Sequence, residues 1–207
     1  AAAVMAGVAS AACLLNCRTG LPYGRCELGR FPGREWLGGF PIWLPAVWVA
    51  ALLSARGTAR LLLRPRRQAR HYGYWLLGVA AALATWTLAA FDLLATQGMH
   101  WWRWTSANWS WEGIALPNLA GSFVVGVLAL LLATPALIDK RPVPAPPGGL
   151  PLAVWFGLSV ASLAGCVSRA SDAAIAVLAA PVLVVTILAF QQYRRAVADC
   201  GRSPGGE

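Results

Sequence analysis

Long apolar runs alternate with short basic, or proline- and glycine-rich, stretches along the whole chain. A helix rises 1.5 Å per residue, so about 20 apolar residues cross the ~30 Å hydrocarbon layer of a bilayer. Six runs approach that length: 1–17, 36–55, 73–96, 115–138, 149–168 and 173–193. The pattern predicts an all-α integral membrane protein, a bundle of about six transmembrane helices. They form a single domain over 1–196, followed by a polar tail at 197–207. After Gln191 the chain turns polar (QQYRRAVADCGRSPGGE), which predicts partial disorder there. The first run opens on AAAVMAG with no initiating Met, so the true start is expected upstream. It lacks the basic flank of a secretory leader and reads as a span.

The runs differ in detail. In the second, Pro41 and Pro45 stand one turn apart, which predicts a kinked or unwound outer half. The third is alanine-rich and carries Thr85, Thr87 and Asp92. The fourth opens ALPNLAGSFVVG, with Pro117 suited to a first turn. Asn118, Gly121, Ser122 and Gly126 recur there as a small, polar face. The tight SRASD turn between the fifth and sixth runs predicts an antiparallel hairpin. KRPVPAPPGGLP reads as an extended connection without chemistry.

Composition agrees with a membrane rather than an aqueous setting. Hydrophobic residues make up 58% of the chain and charged residues only 12%. Soluble domains carry about a quarter charged residues. The net charge of +9 does not imply a nucleic-acid partner, because the basic residues lie in loops and not in a stripe. One side of the membrane takes Arg56, Arg60, Arg64, Arg66, Arg67, Arg70, Lys140, Arg141, Arg194, Arg195 and Arg202. The other takes Arg18, Arg25, Arg30, Arg34, Arg103 and Arg169. The positive-inside rule then puts the C-terminus in the cytoplasm, and the alanine- and arginine-rich composition suggests a bacterial inner membrane. None of the five cysteines forms a CxxC pair, and His71 and His100 are isolated, so no metal site is expected. A Cys17–Cys26 disulfide is open to the chain as an alternative to free thiols.

Seven of eight acidic residues lie in loops, at helix ends or in the tail, and Asp92 is the exception. It follows mainly apolar positions from Tyr74 to Phe91, roughly 27 Å of helix, and so sits just under the outer boundary. A carboxylate at that depth costs several kcal/mol unless paired, hydrated or protonated. A carboxyl held neutral by desolvation is a ready proton donor. The alternative is a cap or an interhelical hydrogen bond.

Alternation of sides brings Asn118 and the loop HWWRWTSANWSWEG (100–113) to the same end. That loop holds Trp101, Trp102, Trp104, Trp109 and Trp111 beside Glu112. Such a run makes either an interfacial belt or the walls of a site for a long conjugated molecule.

These segments resemble a known family. GLPYGRCELG (20–29) and GGFPIWLPAVWVAAL (38–52), then Asp92, HWWRW (100–104) and WEGIALPNLAGS (111–122), are similar to motifs of the integral-membrane carotenoid hydratases, over roughly 20–126. The resemblance implies carotenoid biosynthesis, with cofactor-free addition of water to the terminal 1,2 double bond of an acyclic carotene end, as in γ-carotene and bacterioruberin pathways. It implies Asp92 as acid, Glu27 or Glu112 as base or water-holder, and Asn118 as orienter. Trp101, Trp102, Trp104 and Trp111 would wall the substrate, with Thr85 and Gly121 lining its bed. The partners implied are a carotenoid or other polyisoprenoid and membrane lipid. Cys26, Ala115, Ser122 and Glu112 depart from the motifs. They keep open a non-catalytic carotenoid- or lipid-binding subunit of a larger membrane complex, a photosynthetic one included. A small transporter fits less well, since one intramembrane acid and no inverted repeat are visible.

Overall fold

A computed structural model of the chain describes residues 1–36, 39–105, 110–111, 114–137, 148–167 and 169–201. Among these residues six α-helices follow one another: α1 (Ala2–Thr19), α2 (Leu44–Leu62), α3 (Tyr72–Leu93), α4 (Leu116–Leu137), α5 (Leu150–Ala164) and α6 (Asp172–Gly201). Four short strands pair in two antiparallel ladders: β1 (Cys26–Leu28) with β2 (Trp102–Trp104), and β3 (Ser110–Trp111) with β4 (Ile114–Ala115).

Local sequence explains where the helices begin and end. Gly20 closes α1 in a left-handed conformation (φ 75°), and its N–H donates to Asn16 O at 2.8 Å. The second run becomes helical only at Leu44. Pro45 falls in the first turn, where a missing N–H is no loss, and Pro41 stays outside. The helix then runs past its apolar stretch through Arg56 and Arg60. α3 ends in a wider π-helical turn, Leu94–Gly98. The Arg169 guanidinium holds that turn by donating to Gly98 O at 2.8 Å.

Among the described residues four helices are long and apolar enough to cross a membrane: α1, α3 with its π turn, α4 and α6. At 15 residues, α5 falls short of a bilayer's thickness. α2 has the length but carries two arginines within it. α6 stays helical through Gln191 and on to Gly201. QQYRRAVAD is polar yet rich in good helix formers, so the apolar run ends before the helix does.

α2 lies at the centre, packed against α1, α3, α5 and α6. Its alanine row Ala51, Ala55 and Ala59 is fully buried. Small residues let neighbouring backbones approach. Gly57 accordingly sits where a Cβ would collide with Pro151 of α5. Polar contacts tie α3 to its neighbours: Trp155 Nε1 donates to Leu83 O (3.3 Å), Trp86 Nε1 to Leu178 O (2.9 Å), and Thr87 Oγ1 meets Ser159 Oγ (3.3 Å). α5 and α6 also pack on each other, as the predicted hairpin requires.

The outward faces are apolar. Val124, Leu128, Leu131 and Leu132 of α4 are exposed, as are Leu183, Val184, Ile187, Leu188 and Phe190 of α6. A water-soluble protein rarely leaves such contiguous apolar surface uncovered. With four spanning-length helices, these faces mark a membrane protein.

Candidate functional site

α1 and α3 end at the same pole of the bundle where α2 and α4 begin, and β1 and β2 pair across it. The ladder is antiparallel, with Cys26 opposite Trp104, Glu27 opposite Arg103, and Leu28 opposite Trp102. It is extended at both ends, by Gly29 N–H to Trp101 O (2.7 Å) and Thr105 N–H to Arg25 O (2.9 Å). The chain reaches β2 through a left-handed residue, His100 (φ 54°), whose Nδ1 lies 2.9 Å from Thr96 O. Alternate residues of a strand point to opposite faces. Cys26, Leu28, Trp102 and Trp104 therefore share the inner face, and Glu27 and Arg103 the outer one.

Under this ladder lies Asp92, in the last turn of α3 and only 3% exposed. Trp102 Nε1 donates to its Oδ1 at 2.7 Å. Trp104 Nε1 forks between Oδ1 at 3.0 Å and Oδ2 at 2.9 Å. The Asn118 amide, from the first turn of α4, faces the same carboxyl. Ser122 Oγ bonds the Asn118 oxygen at 3.3 Å, which leaves the NH₂ side for Asp92. Thr96 Oγ1 bonds the backbone oxygen of Asp92 at 2.8 Å and so fixes the α3 terminus.

The carboxyl forms one wall of a partly open pocket. α1 contributes Cys13, Asn16 and Cys17, α2 Leu44 and Trp48, and α3 Leu88 and Phe91. The turn after α1 adds Tyr23, α4 adds Asn118 and Ser122, and β1 and β2 close the top. The lining is mostly apolar, so Asp92, Asn118, Ser122, Asn16 and Tyr23 stand out as its polar groups. Outside the ladder a second depression is lined by Glu27, His100, Arg103, Thr96 and Gln97. Leu28, Trp102 and Trp104 line both, so the two indoles form the partition.

An aromatic cluster braces this partition. Trp43 lies 5.2 Å from Trp101 and 6.0 Å from Phe91, and Phe91 lies 6.0 Å from Trp102. These are spacings at which ring pairs attract. Trp43 is itself anchored by Nε1 to Pro32 O at 2.7 Å.

Of the residues singled out in the sequence, Asp92, Trp102, Trp104 and Asn118 come together. Trp101 stands behind them in the aromatic cluster. Glu27 is exposed and belongs to the outer depression, away from the Asp92 carboxyl. Trp111, 37% exposed on β3, lines neither cavity. Thr85 of α3 is half-buried and does not line the pocket, and its buried hydroxyl has no partner among the described residues. Gly121 packs against the turn after α1, since a Cβ there would lie 2.5 Å from Pro22 O and 3.0 Å from Tyr23 Cδ1. Glu112 lies outside the described residues, as does Trp109. Cys13, Cys17, Cys26 and Cys166 are free thiols, so Cys17 and Cys26 are not bridged. Among the described residues no group of three or more His, Cys, Asp or Glu side chains is placed to hold a metal ion.

The sequence reading passed over Asn16, Tyr23, Trp48 and Phe91. Asn16 carried a usable signal, a lone amide in an apolar run, and Tyr23 lies within the quoted GLPYG segment.

Fold and site together define a helical membrane protein with an apolar pocket, one wall of which is a buried carboxyl bonded to two indoles. The chain belongs to the carotenoid biosynthesis protein family, whose model matches residues 1–187, and so takes part in carotenoid biosynthesis. Searches of curated proteins and of solved structures return no match.

Proposed function

We propose that the protein hydrates the terminal 1,2 double bond of an acyclic carotene end without a cofactor. The observation that carries this reading is the buried Asp92 carboxyl, facing an apolar pocket and grasped from behind by two indole N–H groups. For this step the carboxyl must meet the alkene in its protonated form, with the ladder and its two indoles above it. Oδ1 accepts from both indoles, Oδ2 shares the N–H of Trp104, and the Asn118 amide faces the same carboxyl. Addition to the less substituted carbon breaks the O–H bond, forms a C–H bond and leaves a tertiary cation.

Charge then appears in two places, and each has a counterpart. The indole N–H groups stabilise the new carboxylate without having to reorganise. Faces of Trp102, Trp104 and Phe91 can stabilise the cation, by about 2 kcal/mol or more when dry. Water closes the reaction by forming the C–O bond and returning a proton to Asp92. The pocket suits the tip of a polyene, with the remainder of the rod lying in lipid. We place the pole bearing Asp92 on the outer side of a bacterial inner membrane and the C-terminus in the cytoplasm, following the arginine asymmetry.

The test is expression in a bacterium that accumulates lycopene or γ-carotene. Extracted pigment should gain the mass of one water per hydrated end. Unchanged pigment beside well-folded protein would sink the proposal. A rival reading, a pigment-binding subunit of a larger complex, is favoured by the tryptophan cage alone. It predicts a stoichiometric complex holding unmodified carotenoid.

A further inference from the structure

Tyr23 is 5% exposed, and its hydroxyl is buried with no hydrogen-bond partner among the described residues. A buried, unpaired hydroxyl costs on the order of 1–3 kcal/mol, so such groups ordinarily have a partner. Tyr23 is held firmly where it is. Its N–H donates to Asn16 Oδ1 at 3.0 Å, its ring lies 5.9 Å from that of Trp48, and its edge abuts Gly121 of α4. It also lines the same pocket as Asp92, Asn118 and Ser122. What fills that pocket can supply the missing partner. Burial, with Cys13 nearby, pushes the phenol up from its ordinary value, so it stays neutral and can both donate and accept.

We infer that the Tyr23 hydroxyl holds the water that captures the cation. This rests on the hydration reading and supplies a step that it leaves open. Glu27 points away from the pocket, so the water needs another holder. The phenol oxygen accepts one O–H of the water and leaves a lone pair free to form the C–O bond. The extra proton of the resulting oxonium passes to the Asp92 carboxylate, which restores the acid. Where no water is held, the same cation can only lose a proton and revert to alkene.

The test uses the full-length protein in membranes, an acyclic carotene and D₂O. Wild type should give hydroxylated product carrying deuterium at the carbon next to the new C–OH. Tyr23→Phe should lower hydroxylated product roughly tenfold to a hundredfold, the scale of one hydrogen bond to a charged centre. Deuterium should still enter the recovered carotene, because protonation continues and the cation reverts. Its melting temperature should hold or rise, since an unpaired polar group has been removed. Tyr23→Met, which also lacks the hydroxyl, should show the same partition and serves if the Phe variant fails to fold. Thr58→Val removes another buried, unpartnered hydroxyl, outside the pocket, and should change neither readout. Undiminished hydroxylation in both Tyr23 variants would overturn the inference, and so would hydroxylation and deuteration falling together. Wild type that gives neither product nor deuterium overturns the hydration reading itself, and the inference with it.

Discussion

Trp104 straddles Asp92: one indole N–H reaches Oδ1 at 3.0 Å and Oδ2 at 2.9 Å, while Trp102 takes Oδ1 alone at 2.7 Å. Only an extended strand puts residues two apart on one face, so both indoles descend on the same carboxyl because β2 is a strand. β1 holds β2 in that register. The ladder thus couples two loops, more than seventy positions apart in sequence, to a single group in the last turn of α3. The consequences can be tested one residue at a time.

Asp92→Asn keeps an oxygen for the indoles but removes the transferable proton. Hydrated product should fall by about a hundredfold to ten-thousandfold, the usual worth of a positioned acid. An amide NH₂ turned toward Trp104 also costs about 1–3 kcal/mol of stability. The protein should still purify as a folded species, as checked by circular dichroism and size exclusion. Retained turnover in a folded variant would remove Asp92 from the chemistry.

Trp104→Phe preserves an aromatic wall and deletes one N–H donor. The interaction strengthens as charge develops on the carboxyl, so the loss belongs in kcat more than in KM. About 1.5–3 kcal/mol is expected for a hydrogen bond to a charged group, or roughly tenfold to a hundredfold in rate. Steady-state kinetics with carotene in vesicles reads the split. A change confined to KM would make the residue a wall and nothing more.

How far the sequence disclosed this site depends on the range of each signal. Asp92 was legible because one acid in an apolar run stands out by cost alone. Asn118 came to the same pole by alternation of sides. The β1–β2 pairing was not legible, because three-residue strands carry no measurable period and their partners are distant. Without that register Glu27 and the tryptophans look equivalent, although alternation turns Glu27 outward and Trp102 and Trp104 inward. Tyr23 was hidden differently, since a tyrosine in a loop is unremarkable until its hydroxyl proves buried and unpaired. The helix ends diverged where apolar run and helix are different things. Pro41 and Pro45 delay α2, and good helix formers carry α6 past its last apolar turn.

Glu27→Gln tests the outward placement. The side chain is exposed and opposite Arg103, so neutralising it should change turnover by no more than about twofold. Assays across a range of salt should agree with that figure. A loss comparable to that of Asp92→Asn would show that Glu27 reaches the reacting water after all.

Cys26 reports on the dryness of the pocket roof. Burial pushes its thiol up to about 11, with Cys17 and Asp92 adding to the effect. The raised value means the neutral thiol persists through the physiological range, and only the thiolate alkylates. At pH 8 its labelling by a maleimide should run about a hundred times slower than that of a small-molecule thiol, then rise about tenfold per pH unit until near 11. Site-resolved mass spectrometry separates it from the other cysteines. Fast labelling at neutral pH would mean that water reaches the inner face of the ladder.

Gly121 tests whether the roof is positioned by α4. A Cβ at this residue would stand 2.5 Å from Pro22 O and 3.0 Å from Tyr23 Cδ1. The first neighbour is backbone and cannot swing aside, so Gly121→Ala must push the turn after α1 away from the bundle. Overpacking of this kind costs about 1–3 kcal/mol, against a gain of up to about 1 kcal/mol from replacing glycine within a helix. The net expectation is a lower melting temperature. Activity should fall further than stability alone accounts for, because the displaced turn carries Tyr23 and leads directly into β1. Gly126→Ala is the matched control. Its Cβ would meet Leu52 Cδ2 at 3.6 Å and Ala81 Cβ at 3.7 Å, ordinary contact distances, so helix propensity should dominate and the melting temperature should hold or rise. If both variants behaved alike, the turn would not be seated on α4, and the geometry above Asp92 would need another support.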